Sequence, residues 1–204
     1  MVATTFPAVK LHYQTCYNRG VTAYPQFLQH INDLSERLHA HYAQHLVCRA
    51  GCSGCCHHHL SVFKIEADAI AEAVVALPDE MRQRVTEQAR QITGDEAIAC
   101  PLLVNDRCAI YAARPVICRT QGLPLLFEAE DGKPEIDFCP LNFTAPDALD
   151  DLSEYNCIPL DKINLQLAVL NVQHCRAQGI ADEQIGERIK MSEVILRAVT
   201  NAEV

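Results

Sequence analysis

Between residues 25 and 47, Phe27, Leu28, Ile31, Leu34, Leu38, Tyr42 and Leu46 recur at three- and four-residue steps. That spacing predicts an amphipathic helix, with Pro25 in its first turn and His30, His39, His41 and His45 on a solvated polar face. Over 66–77, Ala67, Ile70, Ala71, Val74 and Leu77 line up on one side, and Pro78 cannot continue the helix they predict. A narrower stripe of Met81, Val85, Ala89 and Ile92 predicts a helix over 79–92. It opens on acidic residues, carries Arg90 near its end and is closed by Gly94. Towards the C-terminus, Leu160, Ile163, Leu167, Leu170 and His174 predict a long helix from Pro159 to about Gln178, stopped by Gly179. Asp182 is then expected to cap a final helix holding Ile185, Ile189, Val194, Ile195 and Val199. These two helices are expected to form a hairpin packed on the first.

The middle of the chain reads differently. Residues 60–64 are expected to be extended, and the first fifteen residues form an extended lead-in. Two short extended pieces fall within 100–108 around an Asn105-Asp106 turn, and Arg114-Pro115 opens a short helix carrying Cys118. Residues 123–130 and 134–138 flank Asp131-Gly132-Lys133 as a hairpin, and 144–154 is a polar, acidic surface loop. The expected fold is mainly α with small irregular β hairpins, its helices surrounding a cysteine-ligated metal site. One domain is expected over 1–204, with a cysteine-cluster core at 48–140 and flanking helices at 25–47 and 159–201.

Composition narrows the function classes. The chain has 204 residues, 49% of them hydrophobic, with no Trp, so Leu, Ile, Val and Ala supply most of the packing. A net charge of -9 gives no basic excess to neutralise phosphates, which argues against a nucleic-acid partner and against docking on an anionic membrane. No apolar run reaches the length of a membrane span, and residues 1–10 lack a secretion-signal pattern, so a cytoplasmic location is expected. The eleven cysteines are about 5% of the chain, below the roughly 8–10% of a disulfide scaffold. Reduced, clustered thiols point to metal.

Four of them stand within Cys48-Arg-Ala-Gly-Cys52-Ser-Gly-Cys55-Cys56, followed by His57, His58 and His59. Two-residue spacing lets Cys52 and Cys55 reach one metal across a tight turn, with Gly51 and Gly54 easing the backbone. Cys100, Cys108, Cys118 and Cys139 supply a second set. The eight suffice for one four-cysteine site with thiols to spare, or for two. Neighbouring Cys55 and Cys56 are expected to diverge and to serve neighbouring sites, or one of them to be a packing cysteine. Thiolate selects zinc, copper(I) and iron–sulfur centres. The reading favours an iron–sulfur cluster, 4Fe–4S, because Cys100-Pro101 and Cys139-Pro140 repeat a cysteine–proline step found in ferredoxin-type ligation; zinc is the alternative. Arg114 and Arg119 are candidates for offsetting the charge of such a cofactor, or for fixing a turn. Tyr111 is read as a packed aromatic, the three histidines as exposed with one as an additional ligand or neighbour the alternative, and Cys16, Cys157 and Cys175 as buried thiols, Cys157 being the spare donor.

Cys52-Ser-Gly-Cys55-Cys56, Cys100-Pro-Leu-Leu, Cys108-Ala-Ile-Tyr-Ala-Ala-Arg-Pro-Val-Ile-Cys118-Arg and Cys139-Pro together resemble the bacterial and archaeal family named for a C-x2-C-x2-C-C motif. That family is described as a zinc- or iron-chelating domain, and the resemblance covers about residues 48–140. Cys48 departs from the motif, with three intervening residues before Cys52 in place of two. The cysteine motif is also similar to that of the flagellin lysine methylases, which implies an iron–sulfur cluster. A metal-binding module in electron transfer, sensing or metal handling is one functional reading. A redox enzyme or transferase built on the cluster is the other, with no nucleophile–base pair, dinucleotide fingerprint or phosphate loop to support it. A thioredoxin-like exchange pair at Cys52 and Cys55 lacks the βαβ pattern it needs. A protein partner is left open.

Overall fold

The computed structural model describes residues 4–5, 24–92 and 99–202. Apart from residues 4–5, the expected lead-in lies outside them, as do Cys16 and Gly94. Among the described residues are six helices, α1 (Tyr24–His41), α2 (Lys64–Val75), α3 (Asp79–Arg90), α4 (Val116–Thr120), α5 (Leu160–Ala177) and α6 (Met191–Ala202). Three small sheets accompany them, so the fold is mainly α with small irregular sheets, as the periodicity predicted. The chain divides into two compact units, 1–48 with 116–170, and 49–115 with 171–204.

The first unit holds a four-stranded sheet of β1 (Thr4–Thr5), β5 (Leu125–Glu128), β6 (Pro134–Asp137) and β7 (Ile158–Pro159) in the order β1-β6-β5-β7. β5 and β6 form the expected antiparallel hairpin, with Gly132 at φ +78 in its turn. β7 runs parallel to β5, placing Pro159 opposite Leu126, so the proline ends a strand and α5 begins at Leu160. Phe27, Ile31, Leu34 and Leu38 bury the inner face of α1, which packs on α4.

The apolar spacing that predicted a helix to residue 47 outlasts the helix, which ends at His41. Tyr42 is buried in a turn, its hydroxyl donating to the Asn156 carbonyl at 3.0 Å and its ring edge-on to Phe143. The following residues bond to the 139–143 segment: the Phe143 N–H donates to the His45 carbonyl and the Val47 N–H to Asn142 Oδ1. Those long-range bonds offset the intrahelical ones given up. The expected surface loop over 144–154 likewise buries Ala148 and Leu152.

In the second unit, α6 packs on α2 and α3. Val62, Ile70, Val74, Val85, Leu102, Ile110 and Ile195 lead its core. The last helix does not start at Asp182. Residues 182–184 make one 3-10 turn, Ile189–Lys190 forms β8 antiparallel to β2 (Ser61–Val62), and only Met191 opens α6. Gly186 interrupts that run, as a helix-breaking residue would. Buried Asn171 knits the unit: its Oδ1 accepts the Ile65 N–H at the start of α2, and its Nδ2 donates to the Ile185 carbonyl. At the other end of α2, Arg82 donates to the Val75 and Leu77 carbonyls, satisfying acceptors the helix leaves over.

Candidate metal site

The second unit contains Cys52, Cys55, Cys56, Cys100 and Cys108, on two short pieces of backbone. One is a turn of 3-10 helix, Gly54–Cys56, entered through a bend in which the Cys52 N–H donates to the Arg49 carbonyl. The other is the hairpin β3 (Leu103–Val104) and β4 (Arg107–Cys108). Asn105 and Asp106 take φ +51 and +57 at its tip, the left-handed pair a two-residue turn requires, and both residue types tolerate it. The two pieces are tied together by the Cys100 N–H donating to the Cys56 carbonyl at 2.7 Å. Ser53 Oγ also donates to Asp106 Oδ1, at 2.8 Å. From α3, Gln88 donates to the Leu103 carbonyl and Arg84 to Asn105 Oδ1, and Cys100 and Cys108 pack against the core.

The electrostatics follow this placement. The Cys55 and Cys56 thiols are hydrogen-bonded to each other, so these neighbours lie together instead of diverging; that bond, and then burial, push Cys55 well above the usual thiol range. Burial pushes Cys100 up to about 11, with the charge of Cys108 adding to the rise, and burial also raises Cys108. Arg114 acts in the opposite sense on both Cys55 and Cys108, favouring their thiolates. Its guanidinium carbon lies 3.5 Å above the Tyr111 ring centroid and its Nε donates to the Tyr111 carbonyl. Arg114 thus both fixes the turn and offsets thiolate charge. Cys52 is exposed.

The first unit contains Cys48, Cys118 and Cys139. Cys139 follows β6, and its carbonyl accepts the Asn142 N–H. Gly122 lies beside both Cys48 and Cys139, where a Cβ would stand 2.8 Å from Cys48 Sγ and 3.9 Å from Cys139 Cβ. Cys118 sits on α4, half-buried. Arg119, on the same helix, is buried and donates to Asn32 Oδ1 of α1 at 2.7 Å, which makes it a helix-packing residue.

Cys157 and Cys175 are both buried, as expected of packing thiols. Cys157 donates to the Ser153 carbonyl at 3.0 Å, and burial pushes it up to about 12. Of the three histidines, His57 Nδ1 lies 3.1 Å from the Ser53 carbonyl, and His59 Nε2 is buried without a hydrogen-bond partner. Among the described residues, no three Cys, His, Asp or Glu side chains converge as a ready site for a single metal ion. The soft donor set still fits a thiolate-bound metal: Cys55 pairs with Cys56, Cys100 feels Cys108, and the Arg114 charge acts on both Cys55 and Cys108. Sequence reasoning missed Gly122 and Asn142, and no periodicity or spacing marks either one.

Neither a curated protein nor a solved structure matches the chain. Residues 47–140 match the model of the CxxCxxCC family, described as a "putative zinc- or iron-chelating domain". The match spans all eight candidate ligands, from Cys48 to Cys139, together with Arg114. Over residues 47–140 the chain is therefore similar to the CxxCxxCC family, whose description is chelation of zinc or iron.

Proposed function

We propose that this protein holds an iron–sulfur cluster, in its favoured form a 4Fe–4S cluster, on its clustered cysteines. Its role would be electron transfer, sensing or protein modification. The observation that carries this reading is the position of Arg114, whose charge favours the thiolate forms of Cys55 and Cys108. A thiolate-bound cluster is anionic, and a fixed cation lowers the cost of keeping that charge near an apolar core. The cysteine–proline steps at Cys100-Pro101 and Cys139-Pro140 support iron–sulfur over zinc. No helix among the described residues is long and apolar enough to cross a membrane.

The test is anaerobic purification followed by a visible spectrum and assays for iron, sulfide and zinc. Equal iron and sulfide, with broad charge-transfer absorption in the visible, support the cluster. Stoichiometric zinc in a colourless protein would sink it and leave a structural thiolate site. Cys108→Ser should lower metal content; unchanged content would remove Cys108 from the ligand set.

A further inference from the structure

Asn142 is almost fully buried, at 1% exposure, and its side-chain amide is used at every polar atom. Its Oδ1 accepts the Val47 N–H at 2.9 Å, and its Nδ2 donates to the Gly122 carbonyl at 2.7 Å. Those two partners fix the orientation of the amide, because a backbone N–H requires an acceptor and a carbonyl requires a donor. The remaining amide hydrogen is then directed at Cys48 Sγ, 3.5 Å from Nδ2. Next to both that sulfur and Nδ2, Gly122 at φ +93 leaves bare backbone where any Cβ would stand 2.8 Å from Sγ and 3.4 Å from Nδ2. A cradle around half-buried Cys48, with one hydrogen-bond donor and room for one sulfur, is a binding geometry for a thiolate.

We propose that Asn142 is a positioning residue for Cys48: its second amide N–H donates to the Cys48 thiolate when that sulfur binds metal, with Gly122 providing the space. This rests on the reading of the chain as a thiolate metal protein. It assigns Cys48 to the ligands despite its irregular spacing from Cys52. An N–H donated to a ligating sulfur spreads its charge, so the donor acts on the metal through Cys48 and touches no metal itself.

The experiment uses the full chain loaded with cadmium-113 alone, as a spin-active thiophilic ion. The expected result is a scalar coupling between cadmium and a side-chain amide proton assigned to Asn142, transmitted across the N–H···S bond and lost in Cys48→Ser. Asn142→Asp keeps the shape and the acceptor for Val47, removes the N–H donors to both Cys48 and Gly122, and adds a buried charge. It should speed transfer of the metal to a chelator by about 10- to 100-fold. In a Cys48→Ser background the same change should have little further effect. Cadmium bound with no coupling to Asn142 overturns the proposal and leaves the metal reading standing. A chain that binds no cadmium overturns both. The coupling experiment needs no variant at Asn142, so the proposal stays testable if Asn142→Asp fails to fold.

Discussion

The guanidinium carbon of Arg114 lies over the ring of Tyr111, 3.5 Å from its centroid, while its charge acts on the thiols of Cys55 and Cys108. One face is held by cation–π attraction, worth about 0.5–1 kcal/mol at an exposed site. The stacking thus spends little energy and fixes where the charge sits.

Arg114→Gln removes that charge. The Cys55 and Cys108 thiols should then rise further above the usual range, and metal affinity at neutral pH should fall by about tenfold. Arg114→Lys keeps the charge but loses the planar fit and should recover only part of the affinity. Competition against a chelator measures both; equal affinities in all three proteins would show that the arginine serves the turn alone.

Gly122→Ala introduces a Cβ 2.8 Å from Cys48 Sγ at a residue whose φ is +93. Strained backbone of this kind costs about 1–3 kcal/mol before the clash is counted. Denaturant unfolding should show the loss, with a lower metal content than the parent protein. A fully stable, fully loaded Gly122→Ala would mean that the sulfur has another place to go.

Cys157 should remain unmodified by iodoacetamide at pH 8 in the folded protein, because burial keeps it a thiol up to about 12. Cys157→Ser should retain its full metal content. Because the folded value lies above the unfolded one, near 8.5, the stability this group contributes is complete below about pH 8.5 and is lost as pH rises towards about 12. The parent should therefore weaken over that interval more than Cys157→Ala does.

Asp68 joins α2 to α5: Lys64 pairs with it, His174 Nε2 lies 2.7 Å from Oδ2, and Gln178 donates at 3.0 Å. Burial pushes the Asp68 carboxyl up, but these hydrogen bonds together hold it below its ordinary value. With the folded value depressed, the contribution is present above about pH 4 and is lost as pH falls through the folded value. Asp68→Asn should cost about 1 kcal/mol at pH 7 for this partly exposed network, with the difference closing in acid. Urea titrations at pH 7 and pH 3 give the comparison; a constant difference would show that protonation of Asp68 is irrelevant.

Elements with one buried stripe and a clear stop were legible in the sequence. Ile70 and Val74 on α2, and Val85 and Ala89 on α3, lie where their spacing put them. Asn105-Asp106 and Gly132 announced their turns by residue type. Periodicity failed where apolar residues are buried without being helical. Tyr42 continues the stripe of α1 but is buried in a turn, and Ile185 and Ile189 fit a helix while serving a 3-10 turn and an edge strand. The cysteines were legible as a set, but their immediate surroundings were not. Asn142 binds residues 95 and 20 positions away, at Val47 and Gly122, and separations of that size leave no local signature.

The Asn105-Asp106 hairpin has a thermodynamic consequence for loading. Its tip is anchored by Arg84 and Ser53, so on the proposed reading Cys100 and Cys108 would act as a bidentate arm whose conformational entropy is lost on folding, before any metal arrives. Binding to such an arm carries a chelate effect: once one sulfur is engaged, the other is already at high local concentration. Selectivity among thiophilic ions at this arm would then come from its fixed bite, which favours ions that accept the spacing and disfavours those that need the hairpin to open.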